Sequence, residues 1–246
     1  MTSHIVWRGL SQLDGVTPVC VVLTDGSANR KTGGMCQAYI LVDRANPHTA
    51  WTQGRDSAVC GDCPLRGRKG ETKRRCYVSF ATGLSSIGKR LEAGLIPEIP
   101  MWRAHEMLVG RSLRLGAYGD PAAVPLYLWE TLTNACRTWT GYTHQWRNPA
   151  HAGLARLCMA SCDSEADRVL ARSMGWRTFR VRRDGPIGDR EIMCPASDEA
   201  GKRTTCERCG LCAGTSRAAK DVTILDHGPG ARTRGKRTLP LLGATP

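Results

Sequence analysis

Three cysteines at successive three-residue steps, Cys206, Cys209 and Cys212, constrain this chain more than any other feature, and Cys194-Pro195 adds a fourth thiol, with eleven residues between Cys194 and Cys206. A polar segment so rich in thiols has too little apolar surface to order itself by burial, so it needs a cross-link. Tetrahedral zinc takes four thiolates near ~2.3 Å, usually from two Cys-x2-Cys knuckles. Three cysteines in steps of three are the commoner arrangement around a cubane cluster. The segment therefore reads as a metal site, with a 4Fe–4S cluster favoured over zinc and both left open.

A second group is looser. Cys60 and Cys63 form one Cys-x2-Cys knuckle, Cys76 follows after twelve intervening residues, and Cys36 is the upstream candidate for a fourth ligand. Between Cys63 and Cys76 stand Arg66, Arg68, Lys69, Lys73, Arg74 and Arg75. A metal closing on the cysteines would pin these cations into one short loop, a candidate clamp for nucleic-acid phosphates. The alternative is a charged, solvated loop. Cys20 and Cys136 sit among apolar neighbours and read as core. Cys158 and Cys162 straddle the end of a predicted strand.

The start of the chain carries no basic stretch followed by an apolar run and a small-residue cleavage site, which points to a reducing, cytoplasmic setting. Clustered cysteines in such a setting are metal ligands or catalytic thiols more often than disulfides. No run approaches the roughly 20 apolar residues needed to cross a bilayer, so no membrane partner is expected. Lys and Arg outnumber Asp and Glu by 35 to 22, a net charge of +13. That balance points to an anionic partner such as nucleic acid, DNA ahead of RNA.

The pattern along the chain predicts an α/β fold. Strand-like runs occur at Val19–Thr24 and Met35–Val42 in an otherwise irregular first third, with cysteine-rich insertions over about 36–76 and 194–212. From about Ser112 short β-like runs alternate with helical ones: strands at Leu113–Tyr118, Thr140–Thr143, Leu157–Ser161, Trp176–Val181, Glu191–Met193 and Val222–Leu225, and helices from Ala122 to about Thr138 and from an Asp163 cap to Met174. Such alternation is the signature of a parallel sheet with crossover helices. The expected architecture is a single domain over 1–228, a parallel (β/α) barrel, complete or not, with an open doubly wound sheet as the alternative. A basic tail follows over 229–246.

In parallel α/β folds ligands bind beyond the carboxyl ends of the strands. The residues just past each predicted strand are Tyr118-Gly119-Asp120, Thr143-His144-Gln145, Ser161-Cys162-Asp163 and Asp226-His227, which would meet at one mouth. Asp120 is the first candidate for nucleophile or general base, since Gly119 permits a tight turn before it; its alternative role is a helix cap ahead of Pro121. His144 is the candidate for proton transfer, with Asp163 and Asp226 as further carboxylates. Tyr118, Trp139, Tyr142 and Trp146 are candidates for stacking on a base, and Gln145 for reading one.

Several motifs taken in order, Asn29-x-Lys31-x-Gly33, Cys60-x2-Cys63-Pro64, Cys76-Tyr77, the run Leu113–Asp120 and Tyr142-Thr143-His144, resemble a phage gene-product family of barrel-like proteins over roughly residues 25–215. That family is similar to the phage relatives of queuine tRNA-ribosyltransferase (tRNA-guanine transglycosylase), and in outline to radical-SAM-like phage proteins. The transglycosylase resemblance implies exchange of guanine in DNA for a 7-deazaguanine base, a small-molecule substrate, with an aspartate attacking the sugar's anomeric carbon and a zinc site nearby. Asp120 is the position carried over. The radical-SAM resemblance implies instead an iron–sulfur enzyme that modifies a base or nucleotide, with its cluster on Cys206, Cys209 and Cys212. A third reading is a zinc-stabilised nucleic-acid-binding protein without catalysis.

Overall fold

The computed structural model describes residues 2–67, 74–81, 83–183 and 185–226. Arg68, Lys69, Lys73, His227 and the whole of the tail lie outside the described residues. The elements in chain order are β1 (Ser3–Leu10), β2 (Pro18–Thr24), β3 (Cys36–Val42), α1 (Pro47–Thr52), α2 (Ser57–Cys60), α3 (Gly83–Glu92), α4 (Met101–Leu108) and β4 (Ser112–Tyr118), followed by α5 (Leu126–Asn134), β5 (Thr138–Thr140), β6 (Tyr142–Thr143) and β7 (Met159–Cys162). Then come α6 (Glu165–Ser173), β8 (Thr178–Arg182), β9 (Glu191–Met193), α7 (Cys206–Cys209) and β10 (Asp221–Leu225).

Among the described residues the strands form two five-stranded sheets, β1-β2-β3-β4-β5 and β6-β7-β8-β10-β9. In the first, β1, β2 and β3 pair antiparallel and β4 and β5 continue parallel to β3. In the second every pair is parallel. The chain is thus α/β as its pattern predicts, but the described strands do not form a closed parallel barrel. The reason lies in the first third: the links β1–β2 and β2–β3 carry no helix, and a parallel return needs a crossover of a dozen or more residues, so these strands turn back on themselves. The run from Cys36 is a core strand rather than part of an insertion. The strand over 3–10 is absent from the sequence expectation.

One residue joins the two sheets. Gly141 separates β5 from β6; its amide donates to the Cys212 carbonyl (3.0 Å) and its carbonyl accepts from the Met159 amide (2.9 Å). A Cβ there would stand 2.6 Å from Cys158 Sγ, so the joint needs glycine. Cys158 itself is fully buried core.

Local chemistry sets the helix limits. The predicted helix from Ala122 divides into a 3-10 turn, Pro121–Ala123, and α5, because the residue before Pro125 is pushed out of the helical region, and Val124 is extended at φ −128° and ψ 158°. Ser164, not Asp163, caps α6: its side chain accepts from the Asp167 amide, and Glu165 and Asp167 place negative charge in the first turn.

The first sheet is packed with Val19, Val21, Leu23, Ile40, Leu113 and Leu115, with Leu128 and Trp129 of α5 over it, all fully buried. The second has a smaller apolar cluster of Met159, Val222, Ile224 and Ala196. It also carries buried ion pairs: Arg180 with Glu191, and Arg168 and Arg172 with Asp221.

Candidate functional site

The carboxyl ends of β4, β6, β7, β8 and β10 border one cavity of about 220 Å³. Seven of the eight cysteines proposed from spacing line it: Cys60, Cys63 and Cys76 from one side, Cys194, Cys206, Cys209 and Cys212 from the other. The two groups, 118 or more residues apart in sequence at Cys76 and Cys194, therefore share one space.

Within each group the thiols are close enough to repel as anions. Burial pushes the Cys60 thiol well up, and Cys63 and Cys76 add to the shift. Cys212 is pushed up to about 12 by burial, with Cys194, Cys206 and Cys209 adding to it and the Tyr142 hydroxyl opposing it. Among the described residues no three His, Cys, Asp or Glu side chains converge tightly enough in this conformation to enclose a metal ion.

Cys36 does not join its expected partners. It opens β3 opposite Leu113, its buried thiol interacts with Arg111 and Asp25, and it does not line the cavity. His144 takes its place beside the knuckle. Its Nε2 lies 3.6 Å from Asp163 Oδ2, and the Cys63 side chain interacts with its ring. Burial alone would lower the imidazolium, but Asp163 and Cys63 hold it well above the ordinary histidine range.

The loop Asn29–Gly34, whose spacing carried part of the resemblance, anchors α7. The Cys206 amide donates to Lys31 O (2.8 Å), and the Gly34 amide to Glu207 Oε2 (2.8 Å). Gly33 is left-handed at φ +69°, where a Cβ would come within 2.8 Å of the same carboxylate. The thiols of α7 are thus held by a loop far upstream, a tie that spacing alone gives no sign of.

Asp120 lines the cavity but is engaged. Its Oδ1 accepts from Thr143 Oγ1 (2.6 Å) and the Ala122 amide (3.0 Å), and its Oδ2 from the His144 amide (2.8 Å). Burial raises its carboxyl above the ordinary range against the pull of these three donors. The geometry is that of a cap and cross-brace between the ends of β4 and β6, not of a free nucleophile. Gly119 serves the brace, since at φ +82° a Cβ would meet Ile40 and the Val59 carbonyl.

Gln145 is also structural: its Nε2 donates to Asp62 Oδ1 (2.6 Å), and it does not line the cavity. Trp146 is fully buried and donates to Ser161 O, and Trp139 donates to Leu157 O. Of the aromatic candidates, Tyr118 and Tyr142 line the cavity, the latter edge-on to Phe179 at 4.8 Å. Cys162, Asp163 and Asp226 line it as well.

The described arginines of the basic loop, Arg66, Arg74 and Arg75, face the cavity. Arg66 pairs with Asp56 (3.2 Å), and the Arg74 guanidinium lies over the Phe80 ring (3.9 Å). Arg66, Arg74 and Arg75 line the cavity, as do Arg114 and Lys31. Arg74 Nη2 and Arg114 Nε are buried without a hydrogen-bond partner among the described residues. No helix among those residues is long and apolar enough to cross a membrane.

Comparison with protein-family models, with curated proteins and with solved structures finds no match for this chain.

Proposed function

We propose that this protein is a thiolate-metal enzyme that modifies a nucleobase or nucleotide in the cavity between its two sheets. The observation that carries the reading is the convergence of seven cysteines with four arginines on one space at the carboxyl edge of parallel strands. A purely structural zinc knuckle needs no access to a cavity. Thiols that wall a ligand-sized space put their metal where a substrate can reach it.

In this reading Cys206, Cys209 and Cys212 would hold a 4Fe–4S cluster, which would supply electron transfer to the reaction when bound. The protein's own residues do the rest. Arg74 and Arg114, each with a buried donor nitrogen free, bind the anionic part of the substrate. Tyr142 and Phe179 give a planar base an aromatic wall, and the apolar side chains Val181, Val222 and Ile224 keep water from it. The substrate class, a nucleotide free or within DNA, follows from the excess of positive charge and the aromatic lining.

Guanine exchange by attack of Asp120 has less support, because three donors already occupy its carboxylate. Anaerobic purification tests the choice. The cluster reading expects a brown protein absorbing near ~400 nm that loses its colour in Cys209→Ser and cleaves S-adenosylmethionine once reduced. A colourless, iron-free protein that incorporates a labelled 7-deazaguanine into DNA would reverse the order of the two readings.

A further inference from the structure

We infer that Cys60, Cys63, Cys76 and His144 form a zinc site of their own, with Asp163 orienting the histidine. This inference concerns the group of thiols opposite the proposed cluster and stands whether or not that cluster exists.

Two side-chain ties fix the segment 143–145 against the Cys60–Cys63 turn. Gln145 Nε2 donates to Asp62 Oδ1 at 2.6 Å, and the His144 ring interacts with the Cys63 side chain. The approach is close enough that Gly61, left-handed at φ +57°, has no room for a Cβ, which would fall 2.4 Å from Gln145 Nε2. The turn is itself a knuckle, the Cys63 amide donating to the Cys60 carbonyl at 3.2 Å. It is held from behind, where the Asp120 amide donates to Val59 O (2.6 Å) and Ser11 Oγ to Ala58 O (2.6 Å). The third cysteine arrives from the other end of the basic loop: Cys76 interacts electrostatically with both Cys63 and His144.

The imidazole is set up as a ligand. With Nε2 facing Asp163 Oδ2, Nδ1 is the nitrogen left for a metal, and a carboxylate behind a ligating histidine fixes its ring and raises its basicity. Three thiolates and one imidazole are a tetrahedral zinc set. Because no three of these side chains enclose an ion as they stand, metal binding must draw the thiols inward by side-chain rotation. Cys36, the sequence's candidate for the fourth ligand, stays in β3 beside Arg111.

The test is a metal count on the full chain, by mass spectrometry after dialysis from excess zinc, with cobalt substitution to read the ligand set. Wild type and Cys36→Ser should carry the same zinc. His144→Ala should lose one equivalent, and His144→Cys, which restores a fourth ligand, should regain it with a stronger thiolate-to-cobalt absorption. Asp163→Asn should keep the site but weaken zinc binding roughly 10- to 100-fold. Should His144→Ala fail to fold, the His144→Cys count decides: full occupancy with the altered cobalt spectrum supports the site. Loss of zinc in Cys36→Ser with retention in His144→Ala would overturn the assignment. So would free alkylation of Cys60, Cys63 and Cys76 in the presence of excess zinc.

Discussion

The two sheets are held together by different physics. The first buries aliphatic side chains on both faces of β2 and β3, and its stability comes from apolar area removed from water. The second has only a small apolar cluster, and its interior holds Arg168, Arg180, Glu191 and Asp221 at 7% exposure or less. A charge can be buried this deeply only when paired, so the second sheet depends on every partner being present, whereas the first tolerates local losses of packing. Two members of the four-cysteine group, Cys194 and Cys212, pack in the small apolar cluster of the ionic sheet.

Removing one member of the buried ionic pairs should have the largest effect. Glu191 accepts from Arg180 Nε (2.9 Å) and the Gly188 amide (2.7 Å), and Glu191→Ala leaves the buried Arg180 with the half-exposed Glu165 (3.3 Å) as its remaining ionic partner. A loss of about 3–5 kcal/mol in urea unfolding is expected; a loss under about 1 kcal/mol would mean that the pairs do not hold the second sheet. Leu115→Ala in the first sheet should cost about 3 kcal/mol and leave a cavity. Its effect on hydrogen exchange should be greatest in β3 and β4, and equal loss of protection in β8 and β10 would erase the distinction between the sheets. Ser164→Ala removes the cap of α6 and should lower stability by about 1 kcal/mol.

The smallest effect is one of pH. Glu165, bonded to Arg168, has its carboxyl held below the ordinary range, so its contribution is present above the unfolded carboxyl range and is lost as the pH falls through the lower folded value. Half of this side chain is exposed, which limits the effect. Exchange at pH 3 to 4 should nonetheless loosen α6 and β8 before β2 and β3, and simultaneous loosening would count against the ionic account.

The sequence exposed what depends on local pattern. Glu191–Met193 matches β9, and the apolar runs at Val19–Thr24 and Met35–Val42 differ from β2 and β3 by a residue each. It concealed what depends on direction and on distant partners. Nothing local in the first third says that strands return antiparallel, so the barrel expectation failed there. In β1, Arg8 and Gly9 interrupt the apolar pattern, which hid the strand. The cysteine spacing named seven of the thiols that line the cavity and misplaced Cys36, because spacing carries no information on which face of β3 a thiol occupies. Asp120 and His144 both line the cavity, but the structure makes one a brace and sets the other against Asp163. The bond from the Gly34 amide to Glu207 spans 173 residues and no short-range signal announces it.

A crystal of anaerobically purified protein, measured at the iron and zinc absorption edges, tests the central claim that both thiol groups are metal centres facing one cavity. Two anomalous peaks are expected, iron among Cys194, Cys206, Cys209 and Cys212, and zinc among Cys60, Cys63, Cys76 and His144. A cavity without either peak, its thiols free, would contradict the account.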